Sequence, residues 1–154
     1  MIVIKRSEAD VKALQGVLIV PDDLKDDGTV YLGVKIPKPW GHEIEKYRDE
    51  NSSIWLLTIL PNQETSMHCH PNKTTLLLVT GGTAVLSTLT ARTQIGAGDV
   101  VVIEKGAFHR TGSAGDMVVL YELESPPNKR DLVRLDDAYG RGQGYEFPCA
   151  HLTP

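Results

Sequence analysis

The feature that most limits how this chain can fold is a succession of short apolar, β-branched runs, each closed by a turn signal. Residues 30–34, 54–60, 73–80, 83–90, 99–103 and 116–123 are rich in Val, Ile, Leu and Thr. Between them stand Pro61-Asn62, Pro71-Asn72, Gly81-Gly82, Gly96-Ala97-Gly98, Gly106, Gly112 and Gly115. β-Branched side chains suit a pleated sheet, and Gly, Pro and Asn supply the dihedrals that tight turns need. Short strands spaced roughly 8–20 residues apart, with Gly-rich turns, predict an all-β sandwich or barrel. No helical pattern alternates with these strands, which argues against a parallel α/β sheet.

The first 30 residues follow a different pattern. Residues 1–5 read as a short strand. Ser7, followed by Glu8, Asp10 and the apolar Ala9, Val11, Ala13 and Leu14, predicts a small capped helix ending near Gly16. An apolar run over 17–20 then meets the turn signals Pro21-Asp22-Asp23 and Asp26-Asp27-Gly28. These aspartates lack the spacing and closing Glu of an EF-hand and read as polar surface. The expected organisation is an N-terminal arm (1–30) packed on a main β domain (31–141), followed by an irregular Gly-rich tail (142–154).

Composition narrows the function classes. Sixteen Lys and Arg against 20 Asp and Glu give a net charge of −4 over 154 residues, with the signs interspersed. Neither a basic nucleic-acid binder nor a polybasic membrane binder is expected. No apolar run approaches the roughly 18–20 residues of a membrane span, and no signal peptide opens the chain. Two cysteines, Cys69 and Cys149, are too few for a disulfide scaffold, so a cytoplasmic location is expected.

Function therefore rests on where particular residues fall, and the histidines stand out. His68 and His70 are separated by Cys69 in an extended segment. Alternation then puts both imidazoles on one face and Cys69 on the other, as an inert thiol. His109 follows the 99–103 strand in Gly106-Ala107-Phe108-His109. Two imidazoles from one strand and a third from a neighbour can hold a transition metal. His42 and His151 have no supporting spacing and read as surface residues. Trp40 and Trp55 read as packing, and Arg110 as a structural ion-pair partner on the face opposite His109.

The order His68-Cys69-His70, Gly82, Gly98, Gly106 and His109 resembles the two motifs of the cupin superfamily. The first, G-x5-H-x-H-x(3 or 4)-E-x6-G, matches His68, His70 and Gly82, with Asn62 in place of its leading Gly and Thr75 in place of its Glu. The second, G-x5-P-x-G-x2-H-x3-N, matches Gly98, Gly106 and His109, with Glu104 in place of Pro and Ser113 in place of Asn. The resemblance implies an antiparallel jelly-roll β-barrel with a metal at its inner wall. Cupins often dimerise, which implies a homodimer.

Over residues 37–141 the chain is similar to type II phosphomannose isomerases, including the C-terminal domain of bifunctional mannose-1-phosphate guanylyltransferases. Lys38-Pro39-Trp40-Gly41 is similar to their R/K-P-W-G start. Thr80-Gly81-Gly82-Thr83-Ala84 resembles V-S-G-T-A, and 106–110 resembles G-x-x-H-R. Residues 131–141 (DLVRLDDAYGR) closely resemble the closing D-I-V-R-x-x-D-x-Y-G-R. Two departures concern the metal motif Q-x-H-x4-E: Gln is replaced by His68 and the carboxylate by Thr75. The implied ligand set is His68, His70 and His109, for Zn, Mn, Ni or Fe. Losing the carboxylate makes the site one unit more positive, which favours an anionic ligand, unless Glu64 or Glu122 substitutes for it.

The resemblance implies Lys38, Trp40, Thr75 and Arg134 as substrate-binding residues. For Arg134 and Arg141, phosphate contact and anchoring of the tail by ion pairs are both open. The expected function is a small metal-binding cupin that acts on a phosphorylated or nucleotide-linked sugar, as an isomerase or epimerase similar to mannose-6-phosphate isomerase. Alternatives are a non-catalytic sugar-binding or regulatory cupin and a three-His iron oxygenase.

Overall fold

The computed structural model describes residues 1–142 and 144–145. In chain order the strands are β1 (Ile2–Ile4), β2 (Lys35–Lys38), β3 (Gly41–Arg48), β4 (Ser53–Ile59), β5 (Met67–Cys69), β6 (Thr74–Gly81) and β7 (Thr83–Thr88). They continue as β8 (Arg92–Gly96), β9 (Val100–Ile103), β10 (His109–Ser113), β11 (Val118–Ser125), β12 (Val133–Asp136) and β13 (Gly144–Tyr145). One helix, α1 (Glu8–Gln15), follows β1, and Pro21–Leu24 form a short 3-10 turn.

Two sheets result, one ordered β1-β9-β6-β11-β4-β3-β2 and the other β13-β12-β5-β10-β7-β8. Every pairing between strands is antiparallel except β1 with β9. The architecture is mostly β, as the turn-bounded runs predict. Among the described residues, however, the ladders form two separate sheets and do not close into one barrel.

Period-2 alternation explains the core. Along β4, Trp55, Leu57 and Ile59 point inward and are buried while Ile54, Leu56 and Thr58 are not. Leu77 and Val79 of β6 and Leu120 of β11 join them from the same sheet, and Ala84, Leu86 and Ile95 from the other. Burying each large apolar side chain contributes about 1.5–3 kcal/mol. A second cluster lies on the outer face of the six-stranded sheet, where Met67, Cys69, Phe108 and Val133 meet Leu24, Ala13, Leu14, Val17 and Ile19. The N-terminal residues thus cover the back of the strands that carry the histidines.

One expected strand needs correction, and one strand was not expected. Residues 30–34 are not a strand, apart from an isolated bridge between Leu32 and Glu45. Gly33 adopts φ 76°, and the Val34 N–H donates to Tyr31 O at 2.9 Å, so the segment turns before β2 begins at Lys35. Conversely, β3 carries no apolar alternation, because Glu43 and Glu45 take the inward positions opposite Leu57 and Trp55. At the β6–β7 turn, Gly82 has φ 78° and a Cβ there would lie 2.2 Å from Met117 O, so only Gly fits. No helix among the described residues is long and apolar enough to cross a membrane. Of the expected tail, Gly144 pairs with Arg134 and Tyr145 with Val133. Cys149 and His151 lie outside the described residues.

Candidate metal centre

His68 lies in β5 and His109 at the start of β10, and the antiparallel register sets them directly opposite one another. His70 follows β5 immediately, two residues after His68 and hence on the same face. The ring centroids are 4.5 Å apart for His68–His109, 5.0 Å for His68–His70 and 5.4 Å for His70–His109. Ligating atoms of all three lie within 4.8 Å of one another, and each side chain is buried.

Their hydrogen bonds set the tautomers. Nδ1–H of His68 donates to Ser66 O at 2.7 Å, that of His70 to Asp131 O at 2.7 Å, and that of His109 to Ala107 O at 3.0 Å. With the proton held at Nδ1 by a carbonyl, the lone pair resides on Nε2, the arrangement that ligating histidines require. The Nε2 of His70 is buried and has no hydrogen-bond partner among the described residues. A buried acceptor in that state implies a partner of another kind, and a divalent cation suits it. Burial holds His70 well below the ordinary imidazole range, reinforced by the positive charge of Lys73 and by the other two histidines. Burial also lowers His109 to about 4. Neutral imidazoles can ligate at pH 7 without first losing a proton. The three side chains therefore fit a divalent metal.

The surrounding structure explains parts of the closing motif. Asp131 is fully buried, and its carboxylate accepts from Asn72 N at 2.8 Å and Asn72 Nδ2 at 2.9 Å, fixing the turn after His70. Asp137 accepts from Arg141 Nε and Nη2, both at 2.9 Å, which supports tail anchoring as the role of Arg141. Tyr139 Oη donates to Gln63 Oε1 at 2.8 Å and accepts from Glu64 N at 3.1 Å. Arg110 faces outward to Asp136 at 3.0 Å and Glu64 at 3.6 Å, as expected for a structural partner. Glu64 is thereby placed in a surface pair. Cys69 points into the outer cluster, where burial pushes its thiol up to about 12, with the nearby Asp131 and Asp10 adding to the effect.

The histidines line a cavity whose wall also carries Lys38, Trp40, Lys73, Glu122 and Lys129. Thr75 faces the interior from β6 at 1 % exposure, and its Oγ1 has no hydrogen-bond partner among the described residues. Arg134 is buried in β12, opposite His68. Neither Thr75 nor Arg134 is among the cavity-lining residues. His42 is on β3, one residue from the inward Glu43 and so on the other face. Sequence reasoning named Lys38 and Glu122 but overlooked the rest of the charged wall, Glu43, Lys73 and Lys129. Lys73 pairs with Glu124 and donates to Asn128 O at 2.8 Å. Lys38 lies 3.5 Å from Glu43, and Lys129 pairs with Glu43 and sits 4.1 Å above the Trp55 ring. Its sequence signal was Glu-x-Glu, at 43/45 and 122/124, where an inward strand face carries acids.

Comparison with known proteins agrees with this geometry. The family described as "Cupin domain" matches residues 55–122. Residues 55–122 are thus similar to a cupin domain. Mannose-1-phosphate guanylyltransferase ManC of Salmonella typhimurium is 27% identical over 138 residues, covering 86% of this chain and 29% of that protein. The chain thus spans under a third of this curated relative. A Klebsiella pneumoniae protein with a double-stranded β-helix domain superposes with TM-score 0.57 at 17% identity, covering 79% of this chain and 98% of that one. Bacillus subtilis oxalate decarboxylase gives TM-score 0.57 at 19% identity, over 66% of this chain and 29% of that chain. At such identities the two structures speak for the cupin fold alone.

Proposed function

We propose that this cupin is a metal-dependent isomerase or epimerase of a phosphorylated or nucleotide-linked sugar, with its two sheets as the halves of a jelly roll. The observation that carries the reading is a single cavity that joins a three-histidine cluster to Lys38, Lys73, Lys129 and Glu122. The similarity to a mannose-1-phosphate guanylyltransferase points to the same substrate class. Aldose–ketose isomerisation moves a proton between adjacent carbons while negative charge develops on the carbonyl oxygen. A divalent metal such as Zn, Mn, Ni or Fe, held by His68, His70 and His109, would supply the charge that polarises the carbonyl. The lysines attract the anionic group of the substrate, and Trp40 and Leu57 give the sugar an apolar wall.

A second reading, a sugar-binding cupin without turnover, is favoured by Thr75 standing where the similar family carries a ligand carboxylate. The deciding experiment combines elemental analysis with a panel of sugar phosphates incubated in D2O. Bound metal that is lost in His68→Ala and His109→Ala, together with deuterium uptake at a sugar carbon, supports the isomerase. Sugar-phosphate binding without uptake supports the binder. Iron with O2 consumption would overturn both in favour of an oxygenase.

A further inference from the structure

We propose that Glu122 carries the proton between the two sugar carbons, an assignment that rests on the isomerase reading above. The titratable side chains lining the cavity are three histidines, Lys38, Lys73, Lys129, Arg141, Glu43 and Glu122. Nearly all are already engaged. The histidines give their Nδ1 protons to backbone carbonyls, Lys38 and Lys129 face Glu43, Lys73 is held by Glu124, and Arg141 is clamped by Asp137. Glu122 alone in this set has no hydrogen bond or ion pair among the described residues.

Its position is set by register. Glu122 sits in the middle of β11, opposite Trp55 of β4 and Leu77 of β6, and both of those side chains point into the core. The carboxyl therefore projects from the seven-stranded sheet into the cavity whose other wall, in the six-stranded sheet, carries the histidines. Apolar neighbours and half-burial keep it from bulk water without neutralising it through a partner.

The charged groups acting on it are Lys73, beside β6, Lys129, after β11, Glu124 on its own strand and Glu43 on β3. Burial dominates and pushes Glu122 up to about 7, so both protonation states are available near neutrality, as a group that takes and returns a proton needs.

The step balances within the substrate. The carboxylate takes the proton from the carbon beside the carbonyl; the C–H electron pair becomes the C=C bond and the carbonyl π pair moves onto oxygen, giving an enediolate. The proton of the neighbouring hydroxyl passes to that oxygen, and the carboxylic acid returns its proton to the former carbonyl carbon as the new carbonyl forms, which regenerates the carboxylate and leaves the isomeric sugar. Nothing external is oxidised or reduced.

The test uses the full chain loaded with its metal, as wild type, Glu122→Gln and Glu122→Asp, with metal content, sugar-phosphate affinity and deuterium uptake measured on each. The expected result is unchanged metal content, affinity within about threefold, and uptake lowered about 10²–10⁴-fold in Glu122→Gln. Partial recovery is expected in Glu122→Asp, with the acid limb of its pH profile moved away from that of wild type. In metal-free protein at pH 6, the infrared difference between wild type and Glu122→Gln should contain the band of a protonated carboxyl. Wild-type uptake in Glu122→Gln, an unmoved acid limb, no such band, or loss of metal on substitution each overturns the role of Glu122 alone. No uptake by the wild type on any sugar overturns the isomerase reading and this assignment with it.

Discussion

A histidine becomes a metal ligand through what holds its other nitrogen, and here three backbone carbonyls do so, at Ser66, Ala107 and Asp131. The pairing of His68 with His70 was legible in the sequence because strand alternation is a covalent property of extended backbone. The environment of Glu122 was not legible, because its burial comes from strands far away in the chain. That burial has a measurable consequence for stability. The carboxyl is raised from 4.5 to about 7, so between these values the folded chain binds more protons than the unfolded one. The stability it contributes is fully present below its unfolded value and is lost as the pH rises through about 7. Glu122→Gln should therefore match wild type in urea unfolding near pH 4.5 and exceed it at pH 8.5. The gain should be about 1–3 kcal/mol, less than the full shift implies because the cavity admits solvent. A variant no more stable than wild type at pH 8.5 would contradict the buried environment.

Among the elements, α1 shows how a local signal acquires a distant task. Ser7 caps the helix by accepting from Asp10 N at 3.3 Å, while Asp10 Oδ2 accepts from Ser7 N at 2.7 Å and Ser7 Oγ at 2.8 Å. The capped helix was legible in the sequence from Ser7 and the acids that follow it. What was not legible is that Asp10 Oδ1 also accepts from Phe108 N at 2.9 Å, beside the ligand candidate His109. Ser7→Ala should cost about 1 kcal/mol, the ordinary loss of a cap. Asp10→Ala should cost about 2–4 kcal/mol, since it also strands a buried N–H. It should further weaken metal affinity about tenfold, by loosening the segment that presents His109. Thermal melts and a metal-competition titration check both variants, and equal effects would show that the link to Phe108 carries no energy. β3 is the opposite case: its inward Glu43 and Glu45 hid a strand from any search for apolar alternation.

For the molecule as a whole, the three-histidine cluster exists only when β5 and β10 pair in the six-stranded sheet, because His109 stands about 40 residues from the His68/His70 pair in the chain. Metal that binds only the folded form stabilises it by about 2.7 kcal/mol at a hundredfold excess over Kd. In a chain of this size that raises Tm by about 5–10 °C. Adding Zn, Mn, Ni or Fe to chelator-treated protein should give this rise in scanning calorimetry. His70→Ala should abolish it, and an equal rise in that variant would remove the three-histidine site. The sequence by itself determined the β character, the capped helix and the sharing of one face by His68 and His70, because turn dihedrals, capping and alternation act over a few residues. Only the tertiary structure decided that the sheets stay separate among the described residues, that Glu64 faces solvent while Glu122 faces the cavity, and that Asp10 and Asp131 brace the histidine segments. Those outcomes depend on which strand lies opposite which, and register between residues far apart in the chain is set by packing of the whole core rather than by any local pattern.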